Sequence, residues 1–327
     1  MSDARWMAAA LALAERGRGR TAPNPNVGCV LVRDGHVVGR GWTQPGGRPH
    51  AEAMALAQAG DKARGATAYV TLEPCAHESP RGPACADLLV QTRVARVVAA
   101  LRDPDPRTDG SGFARLYDAG IQVEFGVLEA EARRSMAGFL TRLAHGRPHI
   151  TLKLATSLDG RIALSTGESK WITGPQARAH AHLERARHDA ILVGRGTFLA
   201  DSPKLDVRLP GLGDRAPRRI LLSSTGPTPP GWERVADMRD VRDLSAIDSL
   251  MVEGGAKAAT AFLRADWVDR LLLYRAPILI GGGKPAVEGF GLAALSEAHD
   301  RWRLLDSRLL GSDRFEVYER NACSPES

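Results

Sequence analysis

His50-Ala51-Glu52, then Glu73-Pro74-Cys75 and finally Cys85 supply an imidazole, a carboxyl and two thiols whose types can act together. His50, Cys75 and Cys85 give three ligands to one tetrahedral zinc per chain and leave a fourth position for water. Zinc lowers the pKa of such a water towards ~7, so that hydroxide is available at neutral pH. Glu52 lies two residues past the histidine and so points to a different part of the helix face. It can take the water's proton without coordinating the metal and pass it to a departing amine. Hydrolytic deamination at an amino-bearing ring carbon is the chemistry this set supports. His-x-Glu with a downstream Pro-Cys is a zinc-deaminase signature. A purely structural zinc more often has four protein ligands and leaves Glu52 without a task.

Bringing these groups together needs particular elements. A helix over 51–59, stopped by Gly60, opens directly after His50. A strand over 66–72 ends before Glu73, and a helix over 86–92 opens at Cys85. Both thiols then fall near helix N-termini, where the dipole favours thiolate. Around them the pattern predicts a helix over 3–17 and strands over 27–32 and 36–42, with Arg33-Asp34-Gly35 as a hairpin turn. A strand over 94–101, a helix over 112–119 and a strand over 121–126 follow. Alternating helices and strands imply a three-layer α/β domain. A helix over 129–143 leads to Gly146-Arg147-Pro148, which divides the chain into domains 1–146 and 147–327.

The second domain restarts the pattern, with strands over 149–155, 190–194, 219–223, 249–253, 268–274 and 315–318 and helices over 175–187 and 257–265. The tail after Arg320 reads as disordered. No Gly-x-Gly-x-x-Gly follows the first strand, which excludes an ordinary Rossmann domain. Val252-Glu253-Gly254-Gly255, a strand running into a helix, instead suits an anion, because backbone N–H groups can approach it and the helix N-terminus favours its charge.

Composition narrows the class. A chain of 327 residues fits two domains, and 43% hydrophobic with 25% charged residues excludes wholesale disorder. The net charge of +6 asks for an anionic partner. Yet the 38 arginines are scattered and aromatics are only 5%, so a small phosphorylated ligand is expected rather than nucleic acid. The apolar run 6–14 is too short for a membrane span and has no basic segment before it, so a cytoplasmic protein with no membrane partner is expected. Four cysteines in this length are no disulfide framework.

Thr21-Ala22-Pro23-Asn24-Pro25-Asn26-Val27-Gly28, His50-Ala51-Glu52, Leu72-Glu73-Pro74-Cys75-Ala76-His77 and Pro83-Ala84-Cys85-Ala86-Asp87 together resemble the deaminase half of the bifunctional deaminase–reductases of riboflavin biosynthesis. The resemblance implies a cytidine-deaminase-like fold, with Asn24 and His77 holding the pyrimidine ring and its neighbours. It places Arg81 on the substrate phosphate when counted back from Cys85. Counted forward from Cys75 the match misses by one, because nine residues separate the cysteines here, one more than is usual in the family.

Lys153-Leu154-Ala155-Thr156-Ser157-Leu158-Asp159-Gly160-Arg161, Gly167-Glu168-Ser169-Lys170-Trp171-Ile172-Thr173, Val193-Gly194-Arg195-Gly196-Thr197, Leu199-Ala200-Asp201-Ser202-Pro203 and Val252-Glu253-Gly254-Gly255 resemble, in that order, the reductase half. Its fold is similar to dihydrofolate reductase, and the likeness runs over residues 3–319 of the chain. It implies an NADPH site of Ala155, Trp171, Thr197, Asp201, Ser224 and the 255–261 segment, which opens with Gly255, Ala256 and Lys257. Ser169, Arg185, Leu205, Arg208 and Glu253 would face the ribose phosphate. Guanidinium forks suit Arg185 and Arg208 to clamp phosphate. Lys153, Asp201 and Glu253 are three candidates for placing the proton that accompanies the hydride. A homodimer through the reductase domain is also implied. This chain departs from the family in a shorter 224–249 stretch and in Asp201-Ser202-Pro203 for Asp-Asp-Pro.

The expected function is zinc-dependent deamination of 2,5-diamino-6-ribosylamino-4(3H)-pyrimidinone 5′-phosphate, followed by NADPH-dependent reduction of the ribosyl group to ribityl. Two rivals stay open at this point. One is a base deaminase acting on nucleic acid. The other is a deaminase joined to a ligand-binding C-terminal module without chemistry.

Overall fold

Alternation of short β-rich runs with Ala- and Leu-rich helices produces two units, Met1–Arg147 and Pro148–Ser327, in the computed structural model. The structure describes residues 2–77, 79 and 81–321, so most of the tail expected to be disordered, with Cys323, lies outside the described residues.

In the first unit the order is α1 (Asp3–Ala14), β1 (Gly28–Arg33), β2 (His36–Trp42), α2 (Ala51–Ala59), β3 (Thr67–Val70), α3 (Cys85–Thr92), β4 (Arg96–Ala99), α4 (Ser111–Asp118), β5 (Gln122–Phe125), α5 (Glu129–Ser135) and α6 (Ala137–His145). The five strands form one sheet, β2-β1-β3-β4-β5, antiparallel at the β1–β2 and β1–β3 pairs and parallel through β3, β4 and β5. Two glycines fix the layers. A Cβ on Gly28 would lie 1.9 Å from the Ala10 carbonyl of α1, and one on Gly41 would lie 2.0 Å from the Ala51 carbonyl of α2. Gly28 pairs with Trp42, the neighbour of Gly41, so the two contacts are on opposite faces. Helix α1 therefore covers one face and α2 the other, which makes three layers.

The second unit contains β6 (His149–Thr156), β7 (Arg161–Ala163), α7 (Pro175–Arg185), β8 (Ala190–Gly194), α8 (Arg195–Asp201), β9 (Arg218–Leu222), β10 (Glu233–Val235), β11 (Ser249–Val252), α9 (Ala256–Arg264), β12 (Arg270–Arg275), β13 (Lys284–Pro285), β14 (Trp302–Leu310) and β15 (Asp313–Arg320). Eight strands form one sheet, β10-β9-β8-β11-β6-β12-β15-β14. Its first six strands are parallel, and β15 and β14 add an antiparallel edge. Period-two alternation buries both faces: Ile150, Leu152, Leu192, Leu250 and Val252 face Phe262, while Ile191, Val193, Met251 and Leu272 face Tyr274 and Phe315.

The helix expected over 129–143 is two, because Met136 leaves helical geometry at φ −108° and ψ 26°. The backbone bonds Met136 N–H to Ala132 and Leu140 N–H to Met136 run through the break. Elements β7, α8, β10, β13 and β14 have no clear pattern in the sequence. Helix α8 begins Arg-Gly-Thr and buries no residue, and β14 is an edge strand without a buried stripe. Among the described residues no helix is long and apolar enough to cross a membrane.

Candidate active sites

His50 is the N-cap residue of α2, and Cys85 is the first residue of α3. Cys75 follows β3 in a loop and is drawn onto the α3 N-terminus. The Cys85 N–H donates to Cys75 Sγ at 3.3 Å, and the Ala86 N–H donates to the Cys75 carbonyl at 3.1 Å. His50 Nδ1 lies 3.3 Å from Cys85 Sγ and 3.5 Å from Cys75 Sγ, and all three donor atoms are within 4.8 Å of one another. Ligand bonds of roughly 2.0 Å to nitrogen and 2.3 Å to sulfur set tetrahedral edges of about 3.5–3.8 Å, so the three groups fit zinc.

The bond from the Cys85 thiol, with His50 beside it, holds Cys75 down to about 4 despite burial, and the same bond pushes Cys85 up. Glu52, in the first turn of α2, is 3% exposed, and burial pushes its carboxyl up to about 7 against the attraction of His50. A carboxyl at that value is suited to exchange a proton near neutrality.

The groups expected to hold substrate lie around this cluster. The Asn24 amide is 3.1 Å from His50 Nε2. The contact is made by Asn24 Nδ2; a ring that ligates through Nδ1 carries its proton on Nε2, and Asn24 accepts that proton only with its amide flipped to present the oxygen. His77 Nδ1 is 3.4 Å from Thr108 Oγ1. Exposed Arg81 donates from Nη2 to the carbonyl of Gly46, itself exposed, at 2.6 Å. Two acids that the sequence leaves without a role lie nearby. Glu73 accepts N–H bonds from Asp103 (3.2 Å), Gly110 (3.1 Å), Gly112 (2.9 Å) and Phe113 (3.2 Å), tying the start of α4 to the Cys75 loop. Burial pushes the Asp103 carboxyl up to about 7, against the N–H bond from Asp105. Their signal was in Leu-Glu-Pro-Cys and Asp-Pro-Asp, but both stretches read equally as turns.

In the second unit the C-terminal ends of β6, β8, β9 and β11 open on a cleft of about 1440 Å³. That exceeds the roughly 300–1,000 Å³ usual for one small ligand, so a cofactor and a substrate can share it. Lys153, Asp201 and Glu253 line it, as do Ala155, Trp171, Thr197, Ser224, Gly255, Ala256 and Lys257. Ser169, Arg185, Leu205 and Arg208 line it too, although Leu205 is only 4% exposed and offers its backbone. Gly254 and Gly255 form a backbone cradle at the α9 N-terminus. A Cβ on Gly254 would lie 2.5 Å from the Ala258 Cβ, and the Gly255 N–H donates to Thr197 Oγ1 at 2.9 Å. The close packing of Gly254 on α9 and the Gly255 bond to Thr197 together fix this turn at the edge of the cleft.

Glu253 organises the cleft floor. Arg185 donates to both its oxygens, Nε at 2.7 Å and Nη2 at 2.9 Å, and Lys153 Nζ lies 3.6 Å away. Burial alone would raise the Glu253 carboxyl, but Lys153 and Arg185 outweigh it and bring it to about 2. All three proton candidates, Lys153, Asp201 and Glu253, line the same cleft, with Glu253 held as a carboxylate between two cations. Arg185 also donates to the Asp206 carbonyl at 3.1 Å, and the Arg208 side chain, 62% exposed, pairs through Nε with the Asp206 carboxylate at 3.4 Å.

Residues 1–101 match the family described as the cytidine and deoxycytidylate deaminase zinc-binding region, and residues 148–314 match the RibD C-terminal domain. The riboflavin biosynthesis protein RibD of Escherichia coli is 42% identical, over 96% of this chain and 98% of that protein. RibD of Aquifex aeolicus is 38% identical over 90% and 92%. Among solved structures, Acinetobacter baumannii RibD superposes with a TM-score of 0.89 at 37% identity, covering 98% of this chain and 99% of that one. A Thermotoga maritima diaminohydroxyphosphoribosylaminopyrimidine deaminase/5-amino-6-(5-phosphoribosylamino)uracil reductase gives 0.89 at 33% identity, with the same coverage.

Proposed function

The chain belongs to the RibD family, bifunctional enzymes of riboflavin biosynthesis with a zinc-binding deaminase region and an NADPH-using reductase domain, and on that premise we propose which of its residues run each half. We assign deamination of the diaminopyrimidine ribose phosphate to residues 1–146 and reduction of its deaminated product to residues 147–327. The observation that carries this reading is the His50, Cys75 and Cys85 trio beside buried Glu52, in one chain with the Lys153–Glu253–Arg185 cleft.

His50, Cys75 and Cys85 would hold zinc, which when bound would supply Lewis-acid activation of water. Glu52 accepts a proton on its carboxylate and returns it to the amine that leaves as ammonia. Asn24 keeps the His50 ring in the ligating tautomer, His77 flanks the pyrimidine, and Arg81 takes the substrate phosphate. The residues lining the cleft would hold NADPH, which when bound would supply hydride chemistry. Lys153 holds the accompanying proton at Nζ, which the Glu253 carboxylate keeps oriented. Arg185 fixes Glu253, and exposed Arg208, whose Nε pairs with Asp206 at 3.4 Å, presents its Nη groups to the phosphate. A ribose phosphate common to the substrates of both halves accounts for a binding arginine in each.

The chain's partners are then small phosphorylated pyrimidines rather than nucleic acid or membrane. Free Cys29, Cys75 and Cys85 suit a reducing cytoplasm. Pairing into a homodimer through the reductase domain is supported by the nine-residue edge strand β14, with Leu304 and Leu309 exposed at 50% and 71%. Sedimentation at two protein concentrations tests it.

The test of function is a paired assay on zinc-loaded protein given the diaminopyrimidine ribose phosphate. Ammonia release together with equimolar NADPH loss is expected. Ammonia without NADPH loss would leave the second unit as a binding module, and neither signal would mean that the substrate is wrong.

A further inference from the structure

Lys153 meets two groups at the cleft floor, a carboxylate and an aromatic ring. Glu253 lies 3.6 Å from Nζ, and the same ammonium lies over Tyr274, 5.8 Å from the ring centroid. A cation within roughly 6 Å of an aromatic face is attracted by the ring's electron density. Sheet register brings the ring there. In the parallel β6–β12 pair Lys153 is opposite Leu272 and Ala155 is opposite Tyr274, so Lys153 and Tyr274 share one face. Tyr274 is 1% exposed, so its ring backs Lys153 from inside the fold rather than meeting a ligand.

The ring is itself anchored. Register carries Ala155, Tyr274, Phe315 and Arg308 in one row across β6, β12, β15 and β14. Helix α7 lays His180 against that row. Its Nδ1 is 2.9 Å from the Tyr274 hydroxyl, and its Nε2 is 3.0 Å from Arg308 Nη2. A guanidinium only donates, so Nε2 accepts from Arg308, and Nδ1 carries the ring proton and donates it to the Tyr274 hydroxyl. Burial holds His180 below its ordinary value against the pull of Glu184, which suits the neutral imidazole this pattern requires. Phe315 packs against both rings, 4.7 Å from Tyr274 and 4.5 Å from His180 between centroids. The phenol cannot swing away from Lys153 without losing the His180 bond at a buried hydroxyl, which is costly.

We infer that Tyr274 is a positioning residue of the reductase, whose ring, anchored through His180 and Arg308, holds the Lys153 ammonium in the orientation that the reduction uses. The inference rests on the assignment of the proton to Lys153. An ammonium has three N–H donors on a flexible stem, and a single carboxylate contact leaves it free to pivot. The ring face supplies the second contact without an acceptor that would compete with Glu253, and an N–H remains for the cleft.

The test follows NADPH absorbance while the full chain reduces the deaminated product, and reads kcat, KM and the solvent deuterium isotope effect for each variant. Tyr274→Leu should lower kcat about threefold to thirtyfold with KM for either ligand within about twofold. Its solvent isotope effect should rise, because proton delivery then limits the rate more strongly. Tyr274→Phe keeps the ring without its anchor, and His180→Ala removes the anchor from the other end. Each should lose less than Tyr274→Leu, and the two combined should lose no more than either alone. Should Tyr274→Leu not fold, that non-additivity decides, and additive losses overturn the inference. An unchanged kcat in Tyr274→Leu overturns it, as does a fall shared with KM or without a change in isotope effect. Lys153→Met that reduces at the unsubstituted rate overturns the assignment of the proton, and unsubstituted protein that leaves NADPH unoxidised overturns the reductase reading itself.

Discussion

Glu52 and Glu253 are both buried glutamates, and their neighbours set them to opposite tasks. Glu52 faces a thiolate and a histidine inside the fold, and burial brings it to about 7, where it can give and take a proton. Glu52→Gln is expected to cut ammonia release by ~10²–10⁴-fold while bound zinc, measured by atomic absorption, stays at one ion per chain. Glu253 is brought to about 2 by Lys153 and Arg185, below its ordinary 4.5. Its contribution to stability is therefore full above pH ~4.5 and is lost as pH falls towards ~2. A shift of that size corresponds to about 3 kcal/mol, and Glu253→Gln also strands two buried cations. Urea unfolding should show the variant less stable at pH 7 by about that amount, with the gap closing as the medium is acidified through that window. A gap independent of pH would show that the carboxylate is not the stabilising form.

At the scale of elements, the metal ligands depend on how α2 sits on the sheet. Gly41→Ala places a methyl 2.0 Å from the Ala51 carbonyl, at the base of the helix that carries His50 and Glu52. Overpacking of this kind costs about 1–3 kcal/mol, and the displaced α2 should also weaken zinc binding. Gly28→Ala meets α1 on the opposite face at 1.9 Å and should lower the melting temperature with a smaller effect on zinc affinity. Metal titration of the two variants separates these outcomes, and equal loss of affinity in both would refute the layer argument. The sequence disclosed α2 to the residue, since Ala51 to Ala59 lies between His50 and a helix-stopping Gly60. Strand β8 was equally legible as an apolar run ending at Gly194. It could not disclose α8, whose first turn holds Gly196 and whose place is set by the Gly255 bond to Thr197, distant in sequence. The trio His50, Cys75 and Cys85 was readable because ligand chemistry restricts residue type. Glu73 was visible only as part of Leu-Glu-Pro-Cys, and its task was not, because its partners are backbone N–H groups that residue type does not identify.

On the scale of the whole molecule, each unit has a core of its own, the first around Leu31, Val98 and Leu116 and the second around Leu152, Leu192 and Phe262. A chelator that strips the zinc should therefore abolish ammonia release yet leave NADPH oxidation intact when the deaminated product is supplied, as followed by absorbance. Parallel loss of both activities would show that the second core depends on the metal of the first. The loop between Cys75 and Cys85 is fastened at its two ends, where Cys85 and Ala86 donate back to Cys75. Insertions between those knots leave the ligands where they are. A lineage can thus lengthen or shorten this stretch by single codons, trying new grips on a substrate's phosphate, while inheriting an unaltered metal centre.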